Sequence, residues 1–213
     1  MIARRAALAA LVLAWGASGI VLAASDEQAL ARVESYLAQL SSVRAHFKQD
    51  LIGADGKTIS HSEGELSLEK PGKFRWDYQK PAQVIVSDGT TLWLYDPELE
   101  QVTVRRVREA LTETPAMLLS GASHVRDGFA VADGGRHEGL DWVRLTPKLA
   151  DADFKELNLG FSGAELQRME FLSKVDQTTR IAFSGTERNV KLDPRLFAFV
   201  PPPGADVIGT PTH

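Results

Sequence analysis

The sequence predicts an α+β fold that is mainly β, a single strongly curved antiparallel sheet with helices against its concave side. Three observations predict it. Between Glu63 and Val104 apolar and polar residues alternate through Leu66, Leu68, Phe74, Trp76, Tyr78, Val84, Val86, Leu92, Leu94, Val102 and Val104, the period of consecutive strands. Each run ends in turn chemistry, at Lys70-Pro71-Gly72-Lys73, Gln79-Lys80-Pro81, Ser87-Asp88-Gly89 and Asp96-Pro97-Glu98, so the chain folds back on itself repeatedly. Against about ten predicted strands stand two helical signals of modest length, too few to fill a curved sheet tightly.

In chain order, Ser25 with Gln28 has capping-box form, and Leu30, Val33, Leu37 and Leu40 then recur at helical spacing, predicting an amphipathic helix over 26–41. From Val43 the period becomes two, with Val43, Ala45, Phe47 and Leu51 on one side of a half-buried strand. Gly53-Ala54-Asp55-Gly56 turns the chain into the aromatic meander, where Gly64 marks a bulge or close packing. Phe74, Trp76 and Tyr78 share one strand face, and Trp93 and Tyr95 share another. Thr114 as N-cap, Pro115 at the first helical position, Met117-Leu118-Leu119 and Gly121 as a stop predict a short helix. It is almost wholly apolar, which places it against the concave side. Strands follow near 127–132, 140–146, 155–161, 165–173 and 178–186. Asp193 to Phe199 reads as one helical turn presenting Phe197 and Phe199 to the body, and Pro201-Pro202-Pro203-Gly204 then leaves the fold.

Arg4 and Arg5 precede an apolar run from Ala6 to about Ala14, closed by Val21-Leu22-Ala23-Ala24, the form of a secretory signal over residues 1–23. The run is shorter than the ~20 apolar residues a membrane span needs. One domain is expected over 24–207, with a disordered tail over 208–213. Loss of Arg4 and Arg5 leaves 22 of the 24 basic residues against 28 acidic ones, a net charge of −6 that argues against nucleic acid as a partner. The absence of cysteine means that the core must suffice without disulfides, and that the chain carries no acylated cysteine of its own.

Nothing in the sequence builds an enzyme. His46, His61, His124, His137 and His213 are scattered without metal-ligand spacing, Gly160-Phe161-Ser162-Gly163 reads as a hairpin turn, and Asp133-Gly134-Gly135-Arg136 lacks the Lys-Ser/Thr of a phosphate loop. Glu63 and Glu65 form a wet strand face. Neither a metal nor a cofactor is expected. An unfilled concavity lined by Phe, Trp, Leu, Val and Met would instead be a ligand pocket, with Met and Leu repacking around guests of varied shape.

Several motifs carry a resemblance: Phe47-Lys48-Gln49, Lys70-Pro71-Gly72-Lys73-Phe74-Arg75-Trp76-Asp77-Tyr78, Pro81, Val86-Ser87-Asp88-Gly89, Leu92-Trp93-Leu94-Tyr95-Asp96-Pro97, Gln101-Val102, Thr114-Pro115-Ala116-Met117-Leu118-Leu119, Leu145-Thr146-Pro147-Lys148 and Phe199-Val200-Pro201-Pro202. In this order they resemble the periplasmic lipoprotein carrier family LolA. The resemblance implies an incomplete, unclosed β-barrel with helices covering the concave face as a lid. It implies a soluble periplasmic carrier, not an enzyme, that binds the acyl chains of lipoproteins. Such a carrier, working as a monomer, takes its cargo from an inner-membrane ABC-type release complex and delivers it to an outer-membrane lipoprotein receptor. A sensor or general lipid-binding module of the same fold is the chief alternative, and a structural or chaperone-like β-domain with a filled core is the second. Cavity and lid are assigned to Val33, Leu37, Phe47, Leu66, Leu68, Phe74, Trp76, Val84, Val86, Met117, Leu118, Leu119, Met169 and Phe171. Many family members carry an arginine before the conserved proline, bonded to lid carbonyls; here that position is Lys70, a point donor in place of a fork and therefore a weaker latch. Arg75 and Lys73 stand close by as substitute donors, and Arg105, Arg106 and Arg108 are a candidate docking surface for the release complex.

Overall fold

The computed structural model describes residues 18–107, 116–120, 125–149, 152 and 154–210. Its elements are α1 (Ser18–Gln39), β1 (Ser42–Ile52), β2 (Thr58–Glu69), β3 (Lys73–Lys80), β4 (Ala82–Asp88), β5 (Thr91–Asp96), β6 (Gln101–Arg106), α2 (Ala116–Leu119), α3 (Val125–Gly128), β7 (Phe129–His137), β8 (Leu140–Pro147), β9 (Phe154–Ser162), β10 (Glu165–Ser173), β11 (Thr178–Arg188), a 3₁₀ turn (Pro194–Phe197) and β12 (Asp206–Ile208). Twelve strands form one sheet in the order β12-β6-β5-β4-β3-β2-β1-β11-β10-β9-β8-β7. The sheet is curved and does not close. Two antiparallel meanders, β1–β6 and β7–β11, join through the β1–β11 pair, and the connection from β6 to β7 carries α2 and α3. Among the described residues no helix is long and apolar enough to cross a membrane.

Alternation along each strand sorts side chains to two faces. In β2, Gly64, Leu66 and Leu68 are buried while Glu63 and Glu65 are exposed, so the two glutamates lie on the wet face. The concave face carries the main core, formed with the helices, and a smaller cluster of Val86, Trp93, Val102 and Val104 occupies the convex face. Gly64 lies at a shift in the β2–β3 register and in close packing.

Three expectations need correction. Ser25 does not start the first helix, which already runs from Ser18 to Gln39. The strand expected over 127–132 runs from Phe129 to His137, because the Asp133-Gly134-Gly135 signal is a register shift within the strand rather than its end. Nor does the chain leave the fold at Pro201–Gly204. It turns back, the Ala205 amide donates to the Pro202 carbonyl at 3.2 Å, and β12 pairs in parallel with β6. The predicted N-cap Thr114, Pro115 and stop Gly121, together with His124, His213 and Arg108, lie outside the described residues.

The C-terminal segment reaches the convex face through Phe197, which is buried, and Phe199, whose ring centroid lies 6.1 Å from Trp93 and 5.9 Å from Tyr95. Phe199→Ala is expected to destabilise the protein by about 1–3 kcal/mol, through lost area and two aromatic pairs. Urea titration followed by tryptophan fluorescence checks this, and an unchanged midpoint would show that the segment is only loosely held.

Candidate functional site

The concave face brings together most of the residues assigned to it. Phe47 from β1, Leu66 and Leu68 from β2, and Phe74 and Trp76 from β3 line one arm; Met169 and Phe171 from β10 line the other. All are buried, Phe74 at 0 % and Trp76 at 3 % exposure, whereas Tyr78 at the far end of β3 is half-buried. Phe47 meets Trp76 and Tyr78 edge to face, with centroids 5.1 and 4.9 Å apart, and Trp76 stacks on Tyr78 at 6.4 Å. Helix α1 covers this face with Ala29, Leu30, Val33, Tyr36 and Leu37, α2 adds Leu118 and Leu119, and α3 adds Val125. The side chain of Met117 lies outside the described residues.

Val84 and Val86 are not part of this face. Val86 belongs to the convex cluster and Val84 packs against it, while their neighbour Ile85 turns inward opposite Trp76. Ala82-Gln83-Val84-Ile85-Val86 is apolar at three successive positions, so alternation alone does not tell its two faces apart. Sequence reasoning also missed Tyr36, Leu92 and Leu94, which join the concave cluster. Pairing to Val86 and Ser87 fixes the parity of β5, placing Trp93 outward and Leu92 inward.

Among the described residues, side chains of α1, α2 and α3 cover the concave face that was expected to stand open. An apolar pocket between α1 and the sheet, lined by Tyr36, Val43, Ala45, Leu66, Leu119, Leu166, Phe183 and Thr186, leaves a cavity of only about 10 Å³. That is far below the roughly 300–1,000 Å³ of a small-ligand site, so at this place the face is closed and hydrocarbon enters only if the helices withdraw. The buried stripe of α1 is worth on the order of 10 kcal/mol in gross terms, and roughly a dozen methylenes taken from water would match it.

Besides apolar contact, polar ties hold the lid. Along α1, Arg32 pairs with Asp141 at 2.8 Å, Glu27 and Glu34 pair with Arg126 at 3.2 and 3.5 Å, and the Asp133 amide donates to Asp26 at 2.8 Å. Exposed pairs of this kind contribute little each. At its C-terminal end the carbonyls lack helical partners, and side chains supply them. The Lys70 ammonium donates to the Leu37 carbonyl, and the Asn189 amide donates to the Gln39 carbonyl at 3.0 Å. Asn189 also accepts from the Ser41 amide and hydroxyl at 2.8 and 2.9 Å. The same Lys70–Gly72 turn reaches α2, since the Gly72 amide donates to the Ser120 carbonyl at 3.1 Å. Burial lowers the Lys70 pKa, while burial drives Tyr36 and Tyr78 up to about 12 and keeps both neutral. Arg75 and Lys73 are engaged elsewhere: Arg75 grips Asp77 at 2.6 Å, and Lys73 pairs with Glu69 at 3.1 Å. Asn189 had no signal beyond being a polar residue just after β11.

Lys70→Leu is expected to speed amide exchange in α1 about fivefold while the strands stay protected. A charged donor bond is worth ~1.5–3 kcal/mol, and half-burial of the ammonium reduces this to about 1 kcal/mol. Lys70→Arg should restore protection, and unchanged exchange in Lys70→Leu would remove Lys70 from the closure. Because burial holds the closed-form pKa below 10.5, raising pH through that lowered value relieves the desolvation cost and favours closure.

Among the described residues the histidines and carboxylates are dispersed. His61 pairs with Asp50 at 2.6 Å on the exposed side, His137 stacks on Trp142 at 4.9 Å, and among the described residues no group of three or more His, Asp or Glu could hold a metal ion. Arg105 and Arg106 are exposed at the end of β6.

Comparison with known proteins agrees with this geometry. The family model described as "Outer membrane lipoprotein carrier protein LolA" matches residues 38–200. The chain is 42% identical over 182 residues to a protein of Dechloromonas aromatica (strain RCB) named outer-membrane lipoprotein carrier protein, covering 85% of this chain and 88% of that one. A protein of the same name from Methylobacillus flagellatus is 43% identical over 178 residues, covering 83% and 87%. Among solved structures, an uncharacterized conserved protein from Thermus thermophilus shares the fold with a TM-score of 0.53 at 14% identity, over 85% of this chain and 97% of that one. With the family match spanning the concave arms and the convex C-terminal segment alike, this chain belongs to the LolA family of outer membrane lipoprotein carrier proteins.

Proposed function

We propose that this protein is a soluble periplasmic carrier that shields the acyl chains of lipoproteins between membranes. The observation that carries the reading is a continuous apolar concave face capped by helices. Acyl chains are held in a bilayer by ~0.8 kcal/mol per methylene, so transit through water needs a protein surface that replaces the bilayer. A lid that closes on itself hides that surface when no cargo is bound, and so protects the empty carrier from aggregation. The relatives' name, outer-membrane lipoprotein carrier protein, supports lipoproteins as the cargo. Residues 1–23 serve as the secretory signal in this reading. An inner-membrane ABC-type complex supplies the cargo, with Arg105 and Arg106 as a candidate contact, and an outer-membrane receptor takes it. The protein acts as a monomer and without a cofactor.

The test is release. Inner-membrane vesicles bearing a triacylated lipoprotein and the ABC complex are incubated with ATP and purified protein, then sedimented. A soluble one-to-one complex of carrier and lipoprotein is expected. Lipoprotein that stays with the vesicles overturns the reading, and recovery of free phospholipid in its place favours a general lipid-binding module.

A further inference from the structure

The concave cluster contains one polar atom that its apolar surroundings do not explain. The indole Nε1 of Trp76 is buried and has no hydrogen-bond partner, the one such side-chain atom among the described residues. Elsewhere buried and half-buried donors are met: the Trp142 indole donates to the His137 carbonyl at 3.0 Å, the Ser87 hydroxyl to the Gly72 carbonyl at 2.8 Å, and the Tyr78 hydroxyl to Gln49 at 3.1 Å. A buried unmet donor costs about 1–3 kcal/mol, and a phenyl ring, used at Phe47 and Phe74 in the same cluster, would avoid it. The chain therefore maintains an N–H in a place where the closed form has no use for it.

We propose that the Trp76 indole N–H donates a hydrogen bond to the carbonyl oxygen at the root of a cargo acyl chain. This rests on the carrier reading. An acyl chain is all methylene except at that root, where an ester or amide carbonyl offers an acceptor; this is the complement of a lone donor in an apolar wall. Placement along β3 agrees. Phe74 is fully buried, Trp76 nearly so, and Tyr78 half-buried, so Trp76 lies between the sealed end of the face and its wetter end. The hydrocarbon then runs over Phe74, Leu66 and Leu68, and the root stays near Tyr78 and Gln49, on the side from which the protein part of the cargo must emerge.

Two lipopeptides separate carbonyl recognition from hydrocarbon burial: one with a cysteine bearing an S-linked glycerol esterified by two hexadecanoyl chains, and its counterpart with two hexadecyl ethers. Wild-type protein is expected to bind the diester about fivefold or more tightly than the diether. Trp76→Phe should bring that ratio close to one. In ¹⁵N-labelled protein, the indole resonance that vanishes in Trp76→Phe should move downfield with the diester and not with the diether, a readout on the unmodified chain. A peptide carrying a single N-hexadecanoyl amide that reproduces the shift would identify the amide carbonyl as an acceptor too. An ester preference that survives in Trp76→Phe, or an indole resonance indifferent to the diester, overturns the proposal while leaving the carrier reading intact. Binding of neither lipopeptide overturns both.

Discussion

Replacing Gly64 by alanine is expected to destabilise the protein by about 4 kcal/mol or more, in the exceptional range for a single substitution. A Cβ at this position would lie 1.8 Å from the Asp77 carbonyl oxygen and 3.0 Å from Cε1 of Phe47. The first contact is with backbone, so no rotamer relieves it; β2 and β3 must separate. Gly64 pairs with Phe47 on one side and Tyr78 on the other, and the β2–β3 register shifts beside it. The rings of Phe47, Trp76 and Tyr78 thus assemble over a strand position without a side chain, and alanine there disturbs the sheet and the cargo face together. Gly128→Ala serves as the control, because its Cβ would meet nothing within 4 Å and a change within ~0.5 kcal/mol is expected. Chemical denaturation of the three proteins checks the pair, and equal stability of Gly64→Ala and wild type would show that the strands yield more easily than backbone packing allows.

How much of this was legible depended on whether one face of an element was wet. In β2 and β3 exposed Glu63, Glu65 and Lys80 mark the outside, so Leu66, Leu68, Phe74 and Trp76 could be placed from alternation and turn chemistry. In β4 the C-terminal segment covers the convex face, both faces are apolar, and the pattern gave no parity; hence Val84 and Val86 were assigned to the wrong side. β12 left no pattern either. Its Val207 and Ile208 are 41 % and 49 % exposed, and it is held by parallel backbone pairing to β6, with the Asp206 amide donating to the Glu100 carbonyl at 2.8 Å. Edge pairing of this kind follows from where β6 lies, which is a property of the whole sheet. Lys70 was found only because a family resemblance pointed to its place; a lysine before a proline in a turn does not by itself announce a helix carbonyl 33 residues away. Asn189, joined to Gln39 across 150 residues, is the same kind of contact without such a pointer.

The largest functional loss is expected from Trp76→Glu. The ring is only 3 % exposed, among Phe47, Tyr78 and Phe183, so an ionised carboxylate there would stand among aromatic rings. Burying it unpaired costs several kcal/mol, which the protein avoids by admitting water to the concave face or by displacing the lid. Either response removes the dry surface that acyl chains need. Far-UV circular dichroism should keep its β signature, since β3 pairs through backbone on both sides, while release of lipoprotein from vesicles falls by at least tenfold. Trp93→Glu distinguishes damage to the fold from damage to the site. Trp93 is similarly sheltered at 7 % exposure, but in the convex cluster beneath Phe199. Its substitution should loosen the C-terminal segment and lower stability by a similar amount, yet spare release per folded molecule. If both variants lose release equally, the concave face has no special part in carrying cargo, and the loss reflects stability alone; if Trp76→Glu releases cargo normally, acyl chains bind elsewhere.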